Sequence, residues 1–142
     1  MKISDLMNTF IDFAEPEASA RELAELMGDL DVGAVPIGTA EQPVGVVTDR
    51  DILFRVVARG LDPSIVTARE ILSAPVHCCR PGDSLQDALD LMAVNQVRRL
   101  GVREGDGPLV GWLTLADVSR ALLLESEVVT TALAGISGDS AA

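Results

Sequence analysis

Aromatic residues are nearly missing from this chain: Phe10, Phe13, Phe54 and Trp112 make up 3% of its 142 residues, and there is no tyrosine. The core is therefore expected to be aliphatic, and a platform of rings for stacking single-stranded nucleic acid is excluded. Positive charge is also scarce. Eleven Lys and Arg face twenty-two Asp and Glu, a formal net charge of −11. Such a surface repels phosphate backbones, so long nucleic acids and anionic membranes are poor partners; one small phosphate group responds only to the local field. No apolar run approaches the roughly 18 residues of a membrane-spanning helix. Met1, Lys2, Ile3, Ser4 and Asp5 lack the basic start and long apolar run of a signal peptide, so a cytoplasmic location is expected. The two cysteines, Cys78 and Cys79, are adjacent. Neighbouring Cα atoms lie about 3.8 Å apart, below the roughly 4.4–6.8 Å of a disulfide, so these two do not bridge each other.

Aliphatic material is plentiful. Hydrophobic residues make up 48% of the chain and the mean hydropathy is +0.30, which excludes disorder of the whole chain. The length suits one ordinary domain or two very small ones packed together.

The chain repeats itself. SARELAELM at 19–27 recurs as SLQDALDLM at 84–92, an offset of 65, and ISDLM at 3–7 recurs as AREIL at 68–72 with the same offset. GVVTDRD at 45–51 recurs as GWLTLAD at 111–117, an offset of 66, which places one insertion in the turn at 104–108. The copies are assigned to residues 7–66 and 72–130, with 131–142 as a loose tail. In the first, Ala20, Leu23, Ala24 and Met27 recur at helical spacing, as do Leu85, Ala88, Leu89 and Met92 in the second. Ser19 with Glu22, and Ser84 with Asp87, stand at capping-box spacing, with Asp the weaker partner. Met7, Met27 and Met92 read as core. The short apolar runs 34–37 and 44–47, matched by 100–102 and 109–113, read as strands, and Pro36 marks an edge position. A second helix follows Thr48 and stops at Gly60, and its twin follows Thr114. Residues 76–79 open the second copy as a further short strand. The predicted order is strand, helix, strand, strand, helix, twice, an α+β fold whose two small sheets pack face to face about a pseudo-twofold axis.

The repeated feature with chemical potential is Gly-x-x-Thr-x-x-Asp, at Gly45, Thr48, Asp51 and at Gly111, Thr114, Asp117. The strand delivers the Thr to the start of a helix, where free N–H groups and the dipole suit a phosphate. An ionised Asp accepts from two hydroxyls at once, which suits a ribose diol. The glycine would let a flat base approach the strand. The same Thr-x-x-Asp also makes a plain helix cap, and the two readings are compatible.

These residues, together with GAVPI at 33–37 and VRRLGV at 97–102, resemble the tandem CBS-domain pair, the Bateman module. The resemblance covers residues 1 to about 125, and RGLDP at 59–63 makes it similar to stand-alone bacterial pairs. It implies two βαββα repeats and adenosine-containing ligands, most often AMP, ADP or ATP and sometimes S-adenosylmethionine, held between the repeats. Thr48 and Asp51 would then serve one cleft, and Thr114 and Asp117 the other. The base would lie near Val76, His77 and Val97 in the second cleft, with Arg50, Arg98 and Arg99 as phosphate candidates. Gly101 stands where the family usually has proline. The family also implies a homodimer through the second helices, here residues 52–57 and 118–124. No cofactor and no enzymatic activity are expected, and a ligand signal would pass to a separate protein partner.

Two rival readings stand beside this one. One is a ligand-free homodimeric adaptor whose motifs are only caps. The other is a metal- or redox-responsive protein working through Cys78 and Cys79, in which His77 and Cys79, on one strand face, share a metal. Trp112 reads as core or interface.

Overall fold

The computed structural model describes residues 1–125, 131, 132, 134 and 135. The expected tail therefore lies mostly outside the described residues. In the first copy, helix α1 (Ala20–Leu30) leads into strands β1 (Ala34–Gly38) and β2 (Pro43–Thr48), then α2 (Asp49–Ile52), which continues as a π-helical turn over Leu53–Val57. A short helix α3 (Ala68–Ile71) opens the second copy, followed by β3 (Cys78–Cys79), α4 (Leu85–Asn95), β4 (Arg99–Val102), β5 (Gly111–Thr114) and α5 (Leu115–Glu125). Strands β1 and β2 form an antiparallel pair; β3 runs parallel to β4, which pairs antiparallel with β5. Among the described residues no helix is long and apolar enough to cross a membrane.

The repeat shows in the ladder. Ile37 pairs with Gly45 as Val102 pairs with Gly111, so the inserted residue falls in the second turn. One of the six expected strands is reduced. Where β3 gives the second sheet a third strand, the first copy has only a bridge from Ala14 to Ile37. Proline explains this: Gly101 N donates to His77 O at 2.9 Å, and the equivalent Pro36 has no N–H to give. Capping departs from expectation too. Ser84 and Asp87 close a reciprocal box at 3.1 and 3.0 Å, whereas Ser19 only accepts from Glu22 N at 3.1 Å. Asp is the better N3 partner here.

Each copy has its own core. Ala20, Leu23, Met27, Val35, Ile37 and Val47 gather in the first; Leu85, Ala88, Met92, Leu100, Val102 and Leu113 gather in the second. The lead-in segments are exchanged between them. Ile3, fully buried, joins the second core, and Ala68 and Ile71 join the first. Backbone bonds fix the exchange symmetrically: Ile3 N to Asp83 O and Ser4 N to Pro81 O at 2.9 Å, mirrored by Ala68 N to Ala18 O at 2.8 Å and Arg69 N to Pro16 O at 2.9 Å. The next residues extend each sheet, with Asn8 bridging Trp112 and Ser73 bridging Val46.

Candidate functional site

Strand β2 ends at Thr48, where the chain turns into α2. Thr48 Oγ1 accepts from Asp51 N at 3.0 Å, and Thr48 N donates to Asp51 Oδ2 at 2.9 Å, a closed capping box. Asp51 is buried, with 9% of its surface exposed. Ser73 Oγ donates weakly to its Oδ1 at 3.4 Å, and Arg55 Nε stands 3.8 Å away. Arg55 also donates to Ile71 O at 2.7 Å, tying the exchanged segment to this corner. The second motif is looser. Asp117 N donates to Thr114 Oγ1 at 3.1 Å, but among the described residues the Asp117 carboxylate accepts no hydrogen bond; its Oδ1 lies 3.8 Å from Arg120 Nη1.

The helix start of α2 is not an open phosphate seat. Asp49 N donates to Gly33 O at 2.9 Å, Arg50 N to Asp49 Oδ1 at 2.8 Å, and Asp51 N to Thr48. An anion there must be met by side chains. The motif glycines also serve a different purpose from the one expected. A Cβ on Gly45 would sit 2.6 Å from Ser73 O and 2.8 Å from Leu72 Cδ1, and one on Gly111 would overlap the Met7 side chain. Both glycines make room for the exchanged lead-in segment, not for a ligand.

Two clefts lie between the repeats. The larger, about 580 Å³, brings Thr48, Arg50 and Asp51 of the first copy to Val76, His77, Val97 and Arg98 of the second. The smaller, about 370 Å³, brings Thr114 and Asp117 to Ile11, Asp12, Asp31 and Val32 of the first copy. Arg99 and Trp112 line both. This corrects one expectation: Val76, His77 and Val97 belong with Thr48 and Asp51, not with Thr114 and Asp117, because each motif faces the opposite copy's lead-in. Sequence reasoning missed Ser73, Gln96 and Asp12; the offset of 65 would have supplied Asp12 as the counterpart of His77. Asp31 and Gln96 cap α1 and α4 in the left-handed region, at φ 54° and 52°. Trp112 is buried as expected and is in addition a wall of both clefts.

Charge is unevenly placed. Among the described residues the guanidiniums of Arg98 and Arg99 make no hydrogen bond or ion pair, and that of Arg50 rests only over the Phe54 ring at 5.2 Å. Burial lowers the Arg99 pKa from its usual value; Arg98 adds to this, while Asp49 and Asp51 oppose it. His77 lines the larger cleft, whereas Cys79 is buried in the second core. Burial, with Asp83 and Cys78, pushes the Cys79 thiol up to about 12, and burial also raises Cys78. Both thiols are therefore held protonated at neutral pH. Among the described residues no three His, Cys, Asp or Glu side chains gather to hold a metal ion.

The fold is a tandem repeat module with two inter-repeat clefts, each with a Thr-x-x-Asp corner. The chain belongs to the CBS domain family, which it matches over residues 3–58 and 68–124. It is 36% identical over 137 residues to the CBS domain-containing protein YhcV of Bacillus subtilis, covering 95% of this chain and 94% of that protein. It is 35% identical over 119 residues to Hypoxic response protein 1 of Mycobacterium tuberculosis, covering 83% and 82%. It is also 33% identical to the uncharacterised MK0525 of Methanopyrus kandleri, of whose length the match spans 58%. A crystal structure of Hypoxic Response Protein I with two coordinated zinc ions superposes with a TM-score of 0.73 at 34% identity, over 84% of this chain and 98% of that one. CBS-domain proteins are regulatory ligand-binding modules.

Proposed function

We propose that this protein is a cytoplasmic, non-enzymatic sensor of an adenosine-containing ligand, of the AMP, ADP, ATP or S-adenosylmethionine type. The observation that supports this most is the pair of clefts, each with a Thr and an Asp at a strand-to-helix corner facing apolar residues of the opposite copy. A ribose diol would sit on Asp51 or Asp117, and the adenine against Val76 and Val97 or against Ile11 and Val32. Ligand in a cleft touches both copies at once, so it favours one arrangement of the repeats, and a protein partner reads that arrangement. Leu53, Phe54 and Val57, with Leu122 and Leu123, are exposed on the two second helices, consistent with a homodimer through that face.

A second reading has one observation in its favour. The closed box at Thr48 and Asp51 satisfies both residues without a ligand, as a ligand-free adaptor would need. Thermal unfolding against AMP, ADP, ATP and S-adenosylmethionine at about 1 mM separates the two. Ligand at 100 times its dissociation constant adds about 2.7 kcal/mol, a rise of roughly 5–10 °C for a chain of this size. A rise abolished by Asp51→Asn or Asp117→Asn supports the sensor; no rise with any of them leaves the adaptor.

A further inference from the structure

The pseudo-symmetry allows the clefts to be compared position by position. Where the larger has Arg50, the smaller has Ala116; Arg98 is matched by Gly33, His77 by Asp12, and Gln96 by Asp31. Each of these four changes removes a basic group or adds an acidic one, while Asp49 of the larger cleft, matched by Leu115, runs the other way. The larger cleft thus presents three guanidiniums against Asp49 and Asp51, and the smaller presents Asp12, Asp31 and Asp117 against Arg99 alone. In a chain with only eleven basic residues, three at one cavity against the carboxylates of Asp49 and Asp51 leave one net positive charge, which a bound anion would neutralise.

We infer that the two clefts are specialised by charge: the larger takes a phosphorylated adenosine ligand, its phosphate held by Arg50, Arg98 and Arg99, and the smaller excludes phosphate. This rests on the sensor reading and adds to it a stoichiometry and an assignment. One phosphorylated ligand binds per chain. Arg99, which reaches both cavities, is drawn toward that phosphate, and the smaller cleft is left more acidic when the larger is filled. A second ligand there is therefore uncharged or cationic.

Isothermal titration of the full chain with ADP, and separately with adenosine, tests this. The expected result is one equivalent of ADP, with affinity falling as salt rises. Arg98→Gln is expected to weaken ADP about tenfold while leaving adenosine within about twofold. Asp51→Asn, in the larger cleft, should abolish or strongly weaken ADP binding. Arg98 is exposed, so its loss spares the core, and circular dichroism verifies folding of each variant. Two equal equivalents of ADP, a single equivalent unaffected by Asp51→Asn, or an Arg98→Gln variant that binds ADP normally would each overturn the charge assignment. Adenosine binding without ADP binding would overturn it while leaving the sensor standing. Absence of both would overturn the two together.

Discussion

Gly45→Ala and Gly111→Ala form a matched pair whose unequal costs follow from what lies against each glycine. The added methyl at 45 would come within 2.6 Å of Ser73 O, a backbone atom that cannot swing aside. That oxygen accepts from Val46 N at 2.9 Å, and Ser73 N donates to Val46 O at 2.8 Å. Relieving the overlap means moving the exchanged segment off β2 and stretching both bonds. Overpacking costs about 1–3 kcal/mol and each weakened hydrogen bond about 0.5–1.5 kcal/mol, so a loss of about 2–4 kcal/mol is expected. At 111 the obstacle is the Met7 side chain, half-buried and unbranched, which can take another rotamer. A cost of about 1 kcal/mol is expected there. Urea unfolding followed by circular dichroism reads both, and each kcal/mol lost lowers Tm by roughly 2–4 °C. Equal effects, or a neutral Gly45→Ala that weakens only ligand binding, would refute the claim that the exchanged lead-in dictates these glycines.

Three further outcomes follow from local geometry. Gln96→Gly should stabilise by about 1 kcal/mol in the same urea assay, because glycine takes the left-handed cap at φ 52° without the Cβ penalty. The raised Cys79 pKa means the folded state holds this proton more tightly than the unfolded chain, whose thiol titrates near 9.0. Its contribution to stability is thus complete below pH 9 and is lost as pH climbs toward about 12; Cys79→Val should flatten that alkaline decline in a stability–pH series. Phe54→Glu, at an exposed apolar position, should shift the protein toward monomer in light scattering.

Much of the fold was legible because it is written locally. The offset of 65 gave both copies, helical spacing gave α1 and α4 with Met27 and Met92 in their cores, and Thr-x-x-Asp marked both corners. What sequence could not show is long-range. Nothing in residues 3–8 or 68–77 says that each segment docks on the opposite copy, so spacing alone does not reveal the role of Gly111 or the facing of Val76 and His77 toward Thr48. Pro36 marks an edge position, and its missing N–H further reduces a strand to one bridge. The occupied N–H groups at the start of α2 depend on Gly33 O, sixteen residues before Asp49, and on side-chain rotamers that spacing does not fix.

Trp112 offers the most direct test of the central claim, since it is the only tryptophan and lines both clefts. Its fluorescence would be titrated with AMP, ADP, ATP and S-adenosylmethionine in wild type and in Asp51→Asn. A saturable change with at least one of them, lost or strongly weakened in the variant, is the expected result. An emission spectrum indifferent to all four, in a protein shown to be folded, would contradict ligand binding in the clefts and leave Thr48 and Asp51 as a helix cap.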